Sequence, residues 1–354
     1  MTATNGVLAL LGDQSLRNDV DRVAAAAGVP VVYAPTPSSR SVWMAATAVV
    51  LDAAAARRCA DLELPRRGRV ILVGTAAPDA ADWQVAISVG AQQVLALPGQ
   101  DADLVGQLAD AAESRREARR RGAVVAVIAG RGGGGASLFS AALAITAPNA
   151  LLVDSDPWSG GIDLLLGGEA EPGLRWPDLA LRGGRLGYPA LQDALPRCRG
   201  ISVLSGGRTA ADIDPQALAA VVDAGSRGGA TVVCDLPRRA TAAVETALDA
   251  ADLVVLMTPA DVRSCAAAAA AAPWLAAMNP NVGLVVRGPA PGGLRSADVE
   301  RIVGVPLLAG MRPQPGVADI LEHQGLRLRR RSPLAVAARR VLTVLAQHPV
   351  AEAA

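Results

Sequence analysis

At 354 residues the chain is too long for one ordinary domain and comfortable for two, each able to bury its own core without disulfides or a structural metal. Hydrophobic residues make up 51%, charged ones 19%, and the formal net charge is +1. The arginines are interleaved with acids except at 115–121 and 327–331, which removes the electrostatic basis for specific nucleic-acid binding. All 34 basic residues are arginine, so a mechanism that needs a lysine must import it.

The apolar share is mostly Ala, Val and Leu, a composition suited to helices packed on buried strands. Cys59, Cys198, Cys234 and Cys265 are widely spaced and form no CxxC pair, as expected of single thiols in a reduced compartment. No basic-then-apolar leader opens the sequence, and its apolar runs break before the roughly 18 to 20 residues that span a bilayer. The expected location is cytoplasmic.

In chain order, short apolar runs at 6–11, 29–33, 48–51, 70–73 and 94–97 read as strands. Amphipathic stretches at 15–27, 39–46, 54–62, 80–89 and 102–112 read as the helices between them. That alternation predicts a parallel, doubly wound sheet over 1–112, in an order that resembles a response-regulator receiver. Asp13, Asp52, Thr75 and Pro98 fall near the receiver's functional positions, but Leu97 stands where a lysine precedes the proline. Asp52 is the candidate phosphoacceptor; a strand-ending Asp in a turn is the commoner use of such a residue. The first half is therefore expected to be a receiver-like interaction domain.

Residues 113–122, ESRREARRRG, are dense in charge and end in glycine, which predicts a helix extension followed by a joint between domains. AVVAVIAG at 123–130 then reads as a buried strand feeding a glycine loop and a helix, LFSAALAIT. Strand, glycine loop and helix in that order form the frame of a phosphate site. The loop GRGGGGAS at 130–137 fits the spacing GxxxxGK[ST] at Gly130, Gly135 and Ser137, with Ala136 at the lysine position. Glycines suit such a loop because successive N–H groups must turn inward around phosphate oxygens; a flexible turn is the alternative.

ALLVDSDPWSGGIDLLLGG at 150–168 and TVVCDLPRR at 231–239 follow, and together with the loop they resemble the MinD/ParA group of deviant Walker ATPases. RGGGGAS, residues Arg131, Gly132, Gly133, Gly134, Gly135, Ala136 and Ser137, is similar to that group's KGGxGK[ST] loop. DSDPWSGGIDLLLG at 154–167 is similar to its DxDP motif, and TVVCDLPRR at 231–239 to its Walker B and switch region. LVVLMTPADVRS and LVVRGPAPGGL continue the pattern, so the resemblance covers 123–354 as a degenerate P-loop NTPase-like domain. A receiver-like domain ahead of such a fold resembles the TadZ/CpaE branch and the septum-site-determining relatives.

The resemblance implies ATP or ADP with Mg2+ as the nucleotide, held weakly. It places Ser137 on the metal, Asp156 at the attacking water, Asp235 behind the metal and Asp154 at the nucleotide. Each has a plainer reading: Ser137 as a helix cap, Asp154 and Asp156 as strand-ending residues of a DP turn. Ala136 removes the cation that meets the terminal phosphates, and Val286 before Arg287 replaces the adenine-contacting Asn. The implied role is spatial: a non-catalytic or weakly catalytic scaffold that places pilus, secretion or division machinery, with protein partners, a homodimer, and membrane contact at a pole or septum made through those partners. The alternative is a slow ATP-dependent dimerisation switch using Arg131 or a partner arginine.

Trp158, just before a Gly- and Pro-rich region, 160–189, and Trp176 and Tyr188 within it are candidates for a partner surface or for core anchors. His323 and His348 are isolated, with no paired nucleophile. Apolar residues at helical spacing in 332–349, among them Leu334, Ala338, Val341 and Leu345, predict a final helix, packed on the sheet or lying on a membrane.

Overall fold

The computed structural model describes residues 6–62, 64–179, 186–208 and 211–347. The chain divides near Arg119 into two compact units. The first holds a five-stranded sheet of β1 (Val7–Leu10), β2 (Val31–Tyr33), β3 (Val49–Leu51), β4 (Val70–Gly74) and β5 (Gln93–Ala96). Its order is β2-β1-β3-β4-β5 and every pairing is parallel. This is the flavodoxin-like winding, in which the chain reverses direction across the sheet next to β1. β1 and β3 are buried along their whole length, which is why their sequences run apolar without alternation.

Short polar side chains start the helices of this unit. Asp13, Ser39, Asp52 and Asp79 each accept backbone N–H groups in the first turn, and Gly28 and Gly90 end their helices in the left-handed conformation. The charged stretch at 113–122 is helical through Arg120, as the end of the helix Asp101–Arg120. Arg, Glu and Ala are good helix formers, and no proline interrupts them.

The second unit holds β6 (Val124–Ala129), β7 (Ala150–Asp154), β8 (Arg197–Cys198), β9 (Ile201–Leu204), β10 (Thr231–Leu236), β11 (Leu253–Pro259), β12 (Val282–Arg287) and β13 (Leu307–Met311). The order is β13-β12-β11-β6-β10-β7-β9-β8, parallel except for the short β8–β9 pair. β6 lies at the centre, with β7 on one side and β11 on the other, so the loop leaving β6 sits where the winding reverses. Ligand sites of open α/β sheets form at that crevice.

Apolar layers cover both faces of this sheet. The helices Ala136–Thr146 and Pro333–Gln347 pack together on one of them. Leu334, Ala337, Ala338, Val341 and Leu345 of the final helix are buried in that layer, so its apolar stripe faces the sheet. Among the described residues no helix is long and apolar enough to cross a membrane. His348, the end of the segment 332–349, and part of the region 160–189 lie outside the described residues.

Candidate nucleotide site

In the first unit, the two oxygens of Asp52 are both engaged. Oδ1 accepts the N–H of Ala55 at 2.7 Å as the cap of the helix Ala53–Ala60, and Oδ2 accepts the N–H of Gly12. Asp13 caps the helix Gln14–Ala27, Thr75 is exposed, and Leu97 is buried in the core at the receiver lysine position. Asp52 thus ties the ends of β1 and β3 to the following helix, and the side chain at the lysine position, Leu97, is apolar.

In the second unit, β6 delivers the chain to the loop 130–137 at the middle of the sheet. Gly133 and Gly135 have φ of 73° and 97°, a region that side-chain-bearing residues rarely enter, so these two glycines make the turn. Gly134 N–H closes it onto the Arg131 carbonyl at 3.1 Å, and the helix Ala136–Thr146 starts at once. A Cβ at Gly132 or Gly133 would meet nothing within 4 Å, so this side of the loop is open. The side chain at the lysine position is a methyl group, and Ala136 is only 7% exposed.

Register brings the predicted carboxylates to the same end. Asp235 of β10 stands beside Asp154 of β7, and the Ser155 N–H donates to the Asp235 carbonyl at 2.9 Å. Burial pushes the Asp235 carboxyl up to about 7; hydroxyl donors on Ser137 and Ser140 oppose the rise, and the charges of Asp154 and Asp156 add to it. Ser140 Oγ lies 2.9 Å from Asp235 Oδ1. Ser137, Asp154, Asp156 and Asp235 are therefore neighbours at the loop, and no lysine offsets their charge. Among the described residues no group of three or more His, Cys, Asp or Glu side chains is arranged to hold a metal.

Asp154 is fully buried and already occupied. Its carboxylate accepts from Ser159 Oγ at 2.6 Å, from the N–H of Ile162 at 2.9 Å, from Asp156 at 3.1 Å and from Gly206 at 3.3 Å. Burial raises its pKa and these donors counter the rise. Asp156 closes a turn by accepting the Trp158 N–H at 2.9 Å. Of the three aromatic candidates, Tyr188 is a core residue and Trp176 is half-buried with its indole N–H on the Asp154 carbonyl, whereas Trp158 is 68% exposed.

Two features were not assigned from the sequence. Asp163, wholly buried, is clasped by Arg175 at 2.9 Å, by both Nη atoms of Arg208 at 3.0 Å and by Ser205 Oγ at 2.8 Å. Its pKa is lowered: burial pushes the other way, but the hydrogen bonds from Arg208, Ser205 and Arg175 prevail. The signal was an acid inside the apolar run GIDLLLG, which suits either a helix start or a buried ion pair, and here it is both. The other is Arg287, whose Nη2 donates to the Gly133 carbonyl at 3.3 Å across β11. Arg131 meanwhile bonds to Ser264 Oγ and lies 3.5 Å from Asp261, the cap of the helix Val262–Met278.

A CheY-like domain followed by a P-loop NTPase fold of the MinD/ParA type is the class of protein that these two units define. The MinD cell division protein of Aquifex aeolicus is 20% identical with a TM-score of 0.50, covering 64% of this chain and 98% of that one. The MinC:MinD cell division protein complex of the same organism gives 19% and 0.52, covering 64% and 97%. Residues 10–119 match the family model described as Rv3660c-like, CheY-like N-terminal domain. The Mycobacterium tuberculosis protein Rv3660c, strain H37Rv, is 64% identical over 339 residues, 95% of this chain and 97% of that protein. The chain belongs to the Rv3660c-like family.

Proposed function

We propose that this protein is a spatial-positioning scaffold that retains the frame of a nucleotide site and turns nucleotide over slowly or not at all. In this reading residues 1–112 are the interaction half, 113–122 the joint and 123–354 the degenerate nucleotide-fold half. The observation that carries it is the buried methyl group of Ala136 at the lysine position of a loop that is otherwise shaped for phosphate. Phosphoryl transfer needs preorganised cations where negative charge develops, and a methyl group supplies none. Losing one charge-assisted contact of roughly 1.5 to 3 kcal/mol weakens binding by about one to two orders of magnitude without abolishing it.

The loop after β7 supports the same reading. Asp154 and the Asp163 clasp hold it through internal bonds, so its shape needs no terminal phosphate. Arg131, the cation an ATP-driven dimer switch would use, is turned to Asp261 and Ser264. The machinery served is pilus, secretion or division apparatus, as in the TadZ/CpaE and septum-site-determining proteins that the chain resembles, with polar or septal placement through protein partners.

The test is phosphate release from Mg-ATP by the pure chain, alongside imaging of a tagged copy in cells. We expect turnover indistinguishable from the blank and focal placement at a pole or septum. Brisk Mg2+-dependent hydrolysis, or uniformly diffuse fluorescence, contradicts the proposal.

A further inference from the structure

Two arginines stand at the phosphate loop, and only one of them is committed to a carboxylate. Arg131 has Asp261 and Ser264. Arg287 ends β12, its backbone fixed by register with Pro259 and by accepting the Ala260 N–H at 3.0 Å. From there its guanidinium crosses β11 and reaches the loop: Nη2 donates to the Gly133 carbonyl at 3.3 Å, and Nη1 lies 3.3 Å from the place a Cβ on Gly135 would take. Gly135, with φ of 97°, thus admits the cation as well as making the turn. Among the described residues no acid pairs with Arg287, and one long bond to a carbonyl engages one of a guanidinium's five donors.

We propose that Arg287 supplies the positive charge of this phosphate loop in place of residue 136, contacting the polyphosphate of a nucleoside di- or triphosphate. The inference rests on the nucleotide-fold reading above and names the residue that keeps the site functional for binding. A guanidinium is always charged and presents paired donors that match phosphate oxygens. Its placement also separates binding from turnover. In the sheet, Arg287 arrives from the β12 and β11 side of β6, whereas Asp154, Asp156 and Asp235 come from the β7 and β10 side. A lysine at 136 would belong to the loop itself, between the two groups; Arg287 flanks the loop and holds phosphate from one side.

The test is titration of a fluorescent ADP with Mg2+ into the native chain and into Arg287→Ala, Arg287→Lys, Ala136→Lys and the Ala136→Lys, Arg287→Ala double variant, with circular dichroism and melting curves to confirm folding. We expect Arg287→Ala to weaken native binding by roughly 10- to 100-fold, the range of a charge-assisted hydrogen bond. Arg287→Lys should recover part of that loss, and the Ala136→Lys background should mask most of it. Binding by folded Arg287→Ala as tight as native, or tighter, overturns the proposal, the latter meaning that the arginine plugs the loop. Binding by Ala136→Lys with none by the native chain overturns the role of Arg287 and leaves the nucleotide fold standing. Absence of binding by every variant removes the nucleotide reading itself, and this inference with it.

Discussion

Replacing Asp235 by Asn should flatten the pH dependence of stability of the nucleotide-fold half. Burial raises this carboxyl from 3.8 to about 7, so the folded chain keeps a proton that the unfolded chain releases near its ordinary value. A raised folded pKa contributes stability that is fully present below the unfolded pKa and is lost as the pH rises through the folded one. A gap of about three pKa units at about 1.4 kcal/mol each corresponds to a loss of about 4 kcal/mol between acid and alkaline plateaus. Asn keeps an oxygen acceptor for Ser140 and never ionises, so its stability should not fall with that titration. Asp154 and Asp252 shift in the same sense, and Asp163 and Asp261 in the opposite one, but the variant retains all four. The native-minus-variant difference therefore reports Asp235 together with its coupling to Asp154 and Asp156, while the unconnected groups cancel. Urea unfolding from about pH 5 to pH 8.5 covers about two of those three pKa units, roughly 3 kcal/mol of the difference, and is followed by both circular dichroism and tryptophan fluorescence because a two-unit chain need not unfold in one step. Parallel curves for the two proteins would refute the assignment.

Asp163→Asn leaves Arg175 and Arg208 without their buried carboxylate and should cost roughly 3 to 5 kcal/mol in urea unfolding; a loss under about 1 kcal/mol would mean the clasp is replaceable. Leu334→Ala, at a wholly buried position of the final helix, should cost about 2 to 5 kcal/mol, while Val336→Ala, 38% exposed, should stay below about 1 kcal/mol. Equal effects would place the apolar stripe of that helix somewhere other than against the sheet. Addition of Mg-ATP should leave the sedimentation coefficient of the native chain unchanged, and ATP-induced doubling of its mass would favour a dimerisation switch.

Strand and helix order was most legible where burial is nearly complete along the strand, as in β1, β3, β6, β7 and β11, and less so at β2, β5, β8 and β13, which are only partly buried. The runs around Val49–Leu51 and Val124–Ala129 are unbroken apolar segments, and Asp or Ser caps with C-terminal glycines mark several of the intervening helices. The end of the helix Asp101–Arg120 was harder to place, since a charged run such as ESRREARRR suits both a solvated helix and a linker. The loop glycines and the strand-ending aspartates could be located from spacing alone. Their partners were not readable, because Asp154 with Gly206, Asp163 with Arg208, and Arg287 with Gly133 meet only once distant loops converge at the sheet's end. The final helix showed one stripe in the sequence, and only packing against the helix Ala136–Thr146 and the sheet distinguished a core face from a membrane face.

Titration of fluorescent ATP and ADP with Mg2+ into the native chain and into Ala136→Lys tests the central claim most directly. The account predicts weak, similar binding of both nucleotides by the native chain, no turnover, and affinity raised by about one to two orders of magnitude in the variant. Native binding as tight as that of Ala136→Lys, accompanied by hydrolysis, would show that the loop never lost what the lysine supplies and would contradict it.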